Sequence, residues 1–391
     1  MLDSHPSVVV IYHCYPHYRR AIVELLAQSK RADFTFVGDD HEYLHSVETA
    51  SFSPNVRFHL APARHLFGPF MWQWGAVRWA ICSRFDTVIM HAVPHWPCTW
   101  IGAIAARLLG KKVFFWGHGY LSRPQGLKGL IRRLFYALPH QHLFYGRLSK
   151  AYAMDLGWPA ERLHVIYNSL DLVVQQGHRK SITPAICRAL REELFGNADT
   201  PVVICTTRLI AMRRLDLLLE SLAQLKRQGT NANLILVGEG PERTKLISQA
   251  ERLGVRVHLE GACYDEARIA SLIMASNVTV SPGRTGLTAI HSLVYGVPVV
   301  SHGDPDDQAP EWEAIIPGKT GSYFERGSAA SLAVAMRPWL ESGAVTEQTR
   351  AACIDVVERF WNPEFQCGAI ERAVCGDPAT DLPVCKGKGS E

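Results

Sequence analysis

Short, continuously apolar segments alternate with helix-like segments along nearly the whole chain. The first apolar segment, at residues 8–12, is followed by helical spacing at 18–26, and a later one at 113–116 follows the helix-like segment 99–109. Strands that are apolar on both faces are typical of parallel sheets covered by helices. The sequence therefore predicts an α/β protein built from doubly wound parallel sheets.

The alternation stops over a polar, helix-prone stretch at 178–200 and then starts again, which predicts two domains. The length of 391 residues also exceeds what one ordinary core holds. We expect a Rossmann-like domain at 1–175, a linker at 176–198 and a second Rossmann-like domain at 199–355. A helix at 356–375 is expected to return to the first domain. The tail at 376–391 lacks apolar periodicity and is expected to be disordered.

Composition narrows the classes of protein that fit. The fractions of hydrophobic (47%) and charged (20%) residues are typical of a globular protein, and a net charge of +4 argues against a dedicated nucleic-acid binder. The ten cysteines include no C-x-x-C pair, so we expect buried thiols in a reducing cytosol. No signal peptide is expected, and no transmembrane helix, because no apolar run reaches about twenty residues.

Two motifs of the second half follow predicted strands, where ligands of parallel sheets bind. The segment T-T-R-L-I-A-M-R-R-L-D at 206–216 carries Arg208 and Arg213. Their planar donors suit a diphosphate, and a solvated basic loop is the alternative. The turn L-V-G-E-G-P-E contains Gly238 and Gly240. These glycines either let the backbone approach a ligand closely or form a tight connection.

The third motif, G-R-T-G-L-T-A-I-H at 283–291, is a glycine-rich turn at the predicted start of a helix. Amides at a helix N-terminus are unpaired and attract anions, which predicts a phosphate site there. His291 lies about one turn into the helix. It either contacts the same ligand or packs as an ordinary helix residue.

Together, and in this order, the three motifs resemble those of the retaining glycosyltransferases of family 4, which have the GT-B fold. The resemblance is strong over residues 200–340. It is weaker at V-I-Y-N-S-L-D (165–171), G-H-G (117–119) and P-H-Y-R-R (16–20), the last resembling members that build bacterial surface polysaccharides. It implies two domains facing each other across a cleft. It also implies a nucleotide-sugar donor held by the second domain and a glycan or lipid-linked acceptor held by the first.

The resemblance assigns roles to individual residues. Arg208 and Arg213 match the family's basic residues on the donor diphosphate, and His118 matches a catalytic histidine that touches the donor sugar. Arg214 stands where the family has glycine. Thr285, Gly286 and Leu287 match positions where the family's backbone amides meet the phosphates. The other expected donor contacts are Gly238, Gly240, Gly283, Thr288 and His291. Candidate acceptor or sugar contacts are His13, His17, Arg19, Asp304 and Glu311.

The chain departs from the family at a pair of glutamates separated by seven residues. Gly283 and His291 occupy these two positions. The family's second glutamate accepts hydrogen bonds from the ribose, whereas a neutral His291 offers one acceptor nitrogen. Two alternatives to a transferase remain on this fold. One is a non-catalytic partner subunit that binds a glycan, and the other is a nucleotide-sugar epimerase, which would need carboxylates from both domains.

No metal and no cofactor are expected. The segment D-P-D-D at 304–307 contains a D-x-D pattern, but it lies in a late loop. We interpret it as a sugar-side or simply polar loop, with metal binding as the alternative. Arg208, Arg213 and the helix start are expected to stabilise a leaving diphosphate without a metal.

Two segments of the first half have the composition of a membrane surface. Residues 126–138, G-L-K-G-L-I-R-R-L-F-Y-A-L, have the spacing of a basic amphipathic helix, and 66–79 are unusually aromatic. Both suit an anionic membrane, and the alternative is that the apolar side chains face the core. We expect a cytoplasmic protein, peripheral on the inner face of the plasma membrane, with no nucleic-acid partner.

Overall fold

A computed structural model describes residues 5–41, 48–341 and 343–379 of the chain. The chain divides into two compact units. The first contains Met1–Asp171 and Asn362–Glu391, and the second contains Leu172–Trp361.

The core of the first unit is a parallel sheet. The strands of this unit, in chain order, are β1 (Ser7–Cys14), β2 (Asp33–Asp39), β3 (Phe58–Leu60), β4 (Ala63–Phe67), β5 (Phe70–Gln73), β6 (Thr87–His91), β7 (Lys112–Gly117), β8 (Gln141–Phe144) and β9 (Leu163–Val165). Seven of them form one sheet in the order β3-β2-β1-β6-β7-β8-β9. Strands β4 and β5 pair antiparallel as a separate hairpin, which the sequence did not predict.

Helices cover both faces of this sheet. They are α1 (Arg20–Ala27), α2 (Ala76–Ile81), α3 (Pro97–Leu108), α4 (Gly126–Tyr136) and α5 (Arg147–Asp155). Successive residues of β1 pack on opposite faces: Val8 and Val10 join one core, and Val9 and Ile11 join the other. This alternation explains why β1 is apolar at every position.

The second unit repeats the design with six strands. They are β10 (Val202–Thr206), β11 (Asn233–Val237), β12 (Val257–Gly261), β13 (Val278–Ser281), β14 (Val299–His302) and β15 (Gly321–Phe324). All neighbours are parallel, in the order β12-β11-β10-β13-β14-β15. The helices from here to the end of the described chain are α6 (Leu172–Ser181), α7 (Pro184–Phe195), α8 (Leu215–Arg227), α9 (Arg243–Leu253), α10 (Glu266–Met274), α11 (Thr288–Leu293), α12 (Ala329–Leu340), α13 (Glu347–Phe360) and α14 (Pro363–Cys375).

The predicted linker at 176–198 is wrong. These residues form most of α6 and α7, which belong to the second unit. Arg179 of α6 donates to the Val294 carbonyl at 2.7 Å, and Arg191 of α7 donates to the Ala275 carbonyl at 2.6 Å. The helix-prone character predicted for 178–200 is confirmed, and the stretch is polar because both helices are solvated on one side.

The single helix predicted at 356–375 is two helices in different units. Helix α13 ends in the second unit, and α14 begins after Asn362, whose side chain accepts from the Phe365 amide at 2.8 Å. Ile370 and Val374 of α14 are fully buried in the core beside α1. Of the predicted disordered tail, 376–379 form no helix or strand, and 380–391 lie outside the described residues.

In the described part of the chain, no helix is both long enough and apolar enough to cross a bilayer.

Candidate functional site

The second sheet has its topological switch point between β10 and β13, because the chain continues to opposite sides of the sheet after these two strands. Ligands of such sheets bind beyond the carboxyl ends of the strands at this point. Arg208 and Arg213 follow β10, and the glycine-rich turn that begins at Pro282 follows β13. The fold therefore brings the two predicted diphosphate motifs to the same edge.

Arg213 lies half-buried at this edge beside other guanidinium groups. Its Nη1 donates to the Arg284 carbonyl at 2.6 Å, and its Nε is buried with no hydrogen-bond partner among the described residues. Burial lowers the pKa of Arg213, and the charges of Arg208 and Arg284 lower it further. Arg284 pairs with Asp307 at 3.1 Å. In residues 5–41, 48–341 and 343–379, neither Arg208 nor Arg213 has a carboxylate partner, so this cluster is suited to bind an anion.

The start of α11 faces the end of β10. The Thr288 hydroxyl donates to the Thr206 carbonyl at 3.2 Å, which ties the two elements together. The backbone amides of Gly286, Leu287 and Thr288 have no partner in the described chain, and a Cβ at Gly286 would meet nothing within 4 Å. Because α11 has only six residues, the attraction for an anion at this position comes from these open amides more than from a helix dipole.

Thr285, predicted to offer its backbone amide to a phosphate, does not have it available. That amide donates to Gln308 Oε1 at 2.8 Å, and the Thr285 side chain is fully buried against the Ser301 hydroxyl at 2.6 Å. Gln308 also donates to Ser301 Oγ at 3.0 Å and to the His302 carbonyl at 2.9 Å. Gln308 therefore fixes the shape of the glycine-rich turn, and no motif in the sequence pointed to it.

Gly283 is a glycine for a steric reason. A Cβ at this position would lie 2.7 Å from the Met212 carbonyl oxygen and 3.1 Å from the Arg213 Cα. The glutamate that the resembled family has here does not fit unless the loop after β10 moves. The absent side chain allows the Arg213 loop to lie directly against the glycine-rich turn.

Gly238 and Gly240 are required for loop packing, and their predicted contact with a donor stays a prediction. A Cβ would lie 1.9 Å from the Thr207 carbonyl oxygen at Gly238 and 2.3 Å from the Leu209 carbonyl oxygen at Gly240. Gly238 also has a φ of +142°, which disfavours any side chain. The glycines let the loop after β11 support the loop that carries Arg208.

His291 is the fourth of the six residues of α11, and its imidazole is hydrogen-bonded to a carboxylate. Its Nε2 bonds to Glu266 Oε1 at 2.8 Å, and the Tyr295 hydroxyl donates to the same oxygen at 2.6 Å. Burial raises the pKa of Glu266, but the hydrogen bonds and the nearby imidazole outweigh burial and lower it. Because a carboxylate only accepts, the neutral imidazole carries its proton on Nε2 and leaves Nδ1 as an acceptor. Contact between His291 and a donor stays a prediction, and sequence reasoning missed Glu266.

Two carboxylates of the loop after β14 are held in ion pairs. Asp304 accepts from the Asp306 amide at 3.2 Å and pairs with Arg326 at 3.0 Å, while Asp307 pairs with Arg326 at 2.7 Å. These partners give Asp304 a structural role, and its predicted contact with a sugar stays a prediction. Glu311 is buried on the following 3-10 turn. Within the described residues, no group of three His, Cys, Asp or Glu side chains could hold a metal ion.

The first sheet has its own switch point, between β1 and β6, and histidines lie there. His13 Nδ1 and His91 Nδ1 are 2.7 Å apart, with the rings stacked. Burial holds the pKa of His91 well below its usual range, with further lowering by His13, Arg19 and His118. His91 was missed, although its place at the end of a predicted strand was a usable signal.

His118 follows β7 and is exposed, with its carbonyl accepting from the Ser149 hydroxyl at 2.5 Å. Its neighbour Gly119 has a φ of +67°, and a Cβ there would lie 2.6 Å from the Phe144 ring. His17 is exposed at the start of a 3-10 turn. The roles proposed for both histidines stay predictions.

Arg19 is buried, and its predicted contact with an acceptor stays a prediction. Its guanidinium donates to the Tyr145 hydroxyl and lies 5.2 Å and 5.4 Å from the ring centroids of Tyr12 and Trp116. The guanidinium of Arg19 therefore packs among aromatic side chains in the interior of the first unit.

Part of the chain matches a known family in sequence. Residues 188–356 match the family model described as Glycosyl transferases group 1. The chain is 29% identical over 187 residues to a GDP-mannose-dependent alpha-(1-6)-phosphatidylinositol monomannoside mannosyltransferase of Mycolicibacterium smegmatis. That match covers 44% of this chain and 46% of the relative, so it spans less than half of the relative's length.

Solved structures are similar over nearly the whole chain. Anabaena HepE, in complex with UDP, has a TM-score of 0.69 at 18% identity, with 94% of this chain and 99% of that chain covered. The lipopolysaccharide outer core galactosyltransferase WaaB, in its apo form, has a TM-score of 0.67 at 15% identity, with 94% and 99% covered. These likenesses confirm the predicted fold class, the GT-B fold with two Rossmann-like parallel-sheet domains.

Proposed function

We propose that the chain is a glycosyltransferase that moves a sugar from a nucleotide-sugar donor to a glycan or lipid-linked acceptor. The observation that supports this proposal most strongly lies at the carboxyl ends of β10 and β13. There, Arg208 and the unpaired Nε of Arg213 lie near the open amides at the start of α11. Planar donors and backbone amides together match the oxygens of a diphosphate. The match of residues 188–356 to glycosyl transferases group 1 supports the same reading.

The proposed mechanism is transfer with retention and without a metal. Negative charge builds on the departing diphosphate, and donors already placed around that position lower the barrier. Arg208, Arg213 and the amides of residues 286–288 would supply these donors. His291 Nδ1 would accept from one ribose hydroxyl, with Glu266 holding the imidazole in the correct tautomer. His118 would contact the donor sugar, as the family resemblance implies.

The proposed acceptor is a lipid-linked glycan of a surface polysaccharide, reached by a cytoplasmic protein that is peripheral on the inner membrane face. The support is the similarity to a mannosyltransferase named for a phosphatidylinositol monomannoside and the basic helix at Gly126–Tyr136.

Incubation with labelled nucleotide sugars and lipid extracts tests the proposal. We expect label in a lipid-linked product whose anomeric configuration, read by NMR, is that of the donor. Release of free sugar would instead indicate an epimerase-like hydrolysis. Binding without turnover would indicate a non-catalytic subunit, and an inverted product would refute retention.

A further inference from the structure

Helix α4 has its amphipathic pattern inverted. Its apolar residues at helical spacing are all between 46% and 72% exposed, and they are Leu127, Leu130, Ile131 and Leu134. The residues that α4 buries are Gly129, Phe135 and Tyr136. A helix of a globular protein normally turns its apolar stripe to the core. The alternative in which these leucines face the core is therefore wrong, and the stripe points away from the unit.

Helix α3 shows the same inversion. Ile101, Ile104 and Leu108 recur along one face and are between 45% and 83% exposed. The buried side of α3 consists of small residues, namely Cys98, Thr99, Gly102, Ala103 and Ala106. Small residues let the helix approach the sheet closely, as at Gly102, where a Cβ would lie 2.9 Å from Met90. The large aliphatic side chains of α3 are thus exposed to solvent, whereas Trp100 packs against the core.

The two exposed stripes lie on neighbouring helices. The rings of Trp100 on α3 and Phe135 on α4 pack with centroids 5.0 Å apart. Arg107 of α3 donates to the Leu138 carbonyl, just after α4, at 2.7 Å. We call the seven exposed residues the α3–α4 face; they are Ile101, Ile104, Leu108, Leu127, Leu130, Ile131 and Leu134.

The segment of the chain that contains this face is strongly basic. Residues 60–150 contain twelve Arg and Lys but one acidic residue, Asp86, a net charge of +11 against +4 for the whole chain. Asp86 is already bonded, to the Ser7 amide at 3.0 Å and to the Thr87 hydroxyl at 2.6 Å. Basic charge beside an apolar face is complementary to a surface that is apolar inside and anionic outside.

We propose that the α3–α4 face inserts into the headgroup region of an anionic lipid bilayer. By helical geometry, Lys128 and Arg133 border the α4 stripe on opposite sides, where long side chains reach lipid phosphates. A second copy of the chain is a poorer occupant, because two segments of +11 would repel each other. The inference rests on the proposed function in one respect: the bilayer is where a lipid-linked acceptor is found.

Co-sedimentation with lipid vesicles tests whether the apolar residues of the α3–α4 face contribute to membrane binding. We expect the full chain to pellet with phosphatidylcholine vesicles that contain phosphatidylglycerol, and not with phosphatidylcholine alone. Leu130→Gln with Leu134→Gln should weaken binding at least about tenfold, since two half-exposed leucines lose their transfer into the interface. The matched control is Val173→Gln with Val334→Gln, which removes two exposed apolar residues of the second unit and should bind as the parent does.

A second pair of variants tests whether the basic side chains of α4 contribute to membrane binding. Lys128→Gln with Arg132→Gln should weaken binding at least about fivefold, mostly through Lys128 because Arg132 lies on the side of α4 away from the stripe, and high salt should release the parent. Arg133 is left in place because it also donates to the Leu156 carbonyl. Arg227→Gln with Arg252→Gln makes the same charge change in the second unit and should leave binding unchanged.

Three results would overturn the inference: a parent that does not pellet, α4 variants that pellet like the parent, or a parent dimer that the α4 variants convert to monomers. Pelleting caused by an acidic protein contaminant is excluded by using synthetic lipids. Melting temperature and calorimetric binding of nucleoside diphosphates should match the parent in every variant. Those readings separate a failed docking face from a failed donor site.

Discussion

Arg213→Ala tests the donor site with little disturbance of the fold. The substitution removes one bond to the Arg284 carbonyl, which contributes about 1 kcal/mol, and it also removes a buried Nε that has no partner. These two effects oppose each other, so we expect the free energy of unfolding to change by less than about 1 kcal/mol. Charge-assisted bonds to a diphosphate contribute about 1.5–3 kcal/mol each. We therefore expect kcat/KM to fall by about one to two decades.

The assay is steady-state kinetics with the preferred nucleotide sugar, beside thermal melting. Arg208→Ala should lose activity to a similar extent, and Arg213→Lys should retain part of it because the charge remains. Arg214→Ala is the matched control, because this exposed neighbour pairs with Asp216 at 3.1 Å and not with the site. Near-parent kinetics in both Arg208→Ala and Arg213→Ala would refute the assignment of this loop.

Three further predictions concern the same unit. Glu266 has a folded pKa below its ordinary 4.5, so its pairing stabilises the fold above that pH and is lost as pH falls through the folded pKa. His291→Leu should thus lower the melting temperature at neutral pH and weaken donor binding in calorimetry, with the melting difference shrinking below pH 4.5; a pH-independent difference would contradict this. Gly283→Glu, which restores the family's residue, should destabilise the fold by about 1–3 kcal/mol in urea unfolding, because its Cβ meets the Met212 carbonyl; parent-like stability would show that the loop yields easily. Arg214 has a φ of +53°, so Arg214→Gly should stay within about 1 kcal/mol of the parent while Arg214→Val loses about 1–2 kcal/mol, and equal stabilities would argue against backbone strain.

The strands could be predicted because burial on both faces leaves a continuous apolar signal. Residues 202–206 were predicted as a strand, and β10 spans Val202–Thr206. The helix-prone character of residues 178–200 was predicted, but helices α6 and α7 were assigned to a linker because half-solvated polar helices resemble a linker in composition. The hairpin of β4 and β5 was missed because its aromatic residues carry no clear alternation.

Some residues of the candidate site could be predicted because they directly follow strands that the sequence predicts. Arg208 and Arg213 follow a strand directly, so their place at the sheet edge comes from local sequence and topology. Whether the Thr285 amide is available depends on Gln308, which is 23 residues away in the chain. The partner of His291 is Glu266, 25 residues before it. Such pairings depend on how separate loops pack against each other in the fold. Neither the local spacing of residues nor the composition predicts that packing.

Thermal shift with a panel of nucleoside diphosphates tests the central claim most directly, because a ligand that binds the folded state raises its melting temperature. The account predicts that one of UDP, GDP, CDP or dTDP stabilises the parent clearly. It also predicts that the Arg208→Ala and Arg213→Ala double variant, with an unliganded melting temperature close to the parent's, loses that shift. A parent that no nucleoside diphosphate stabilises, or a double variant that keeps the full shift, would contradict a donor site at this edge.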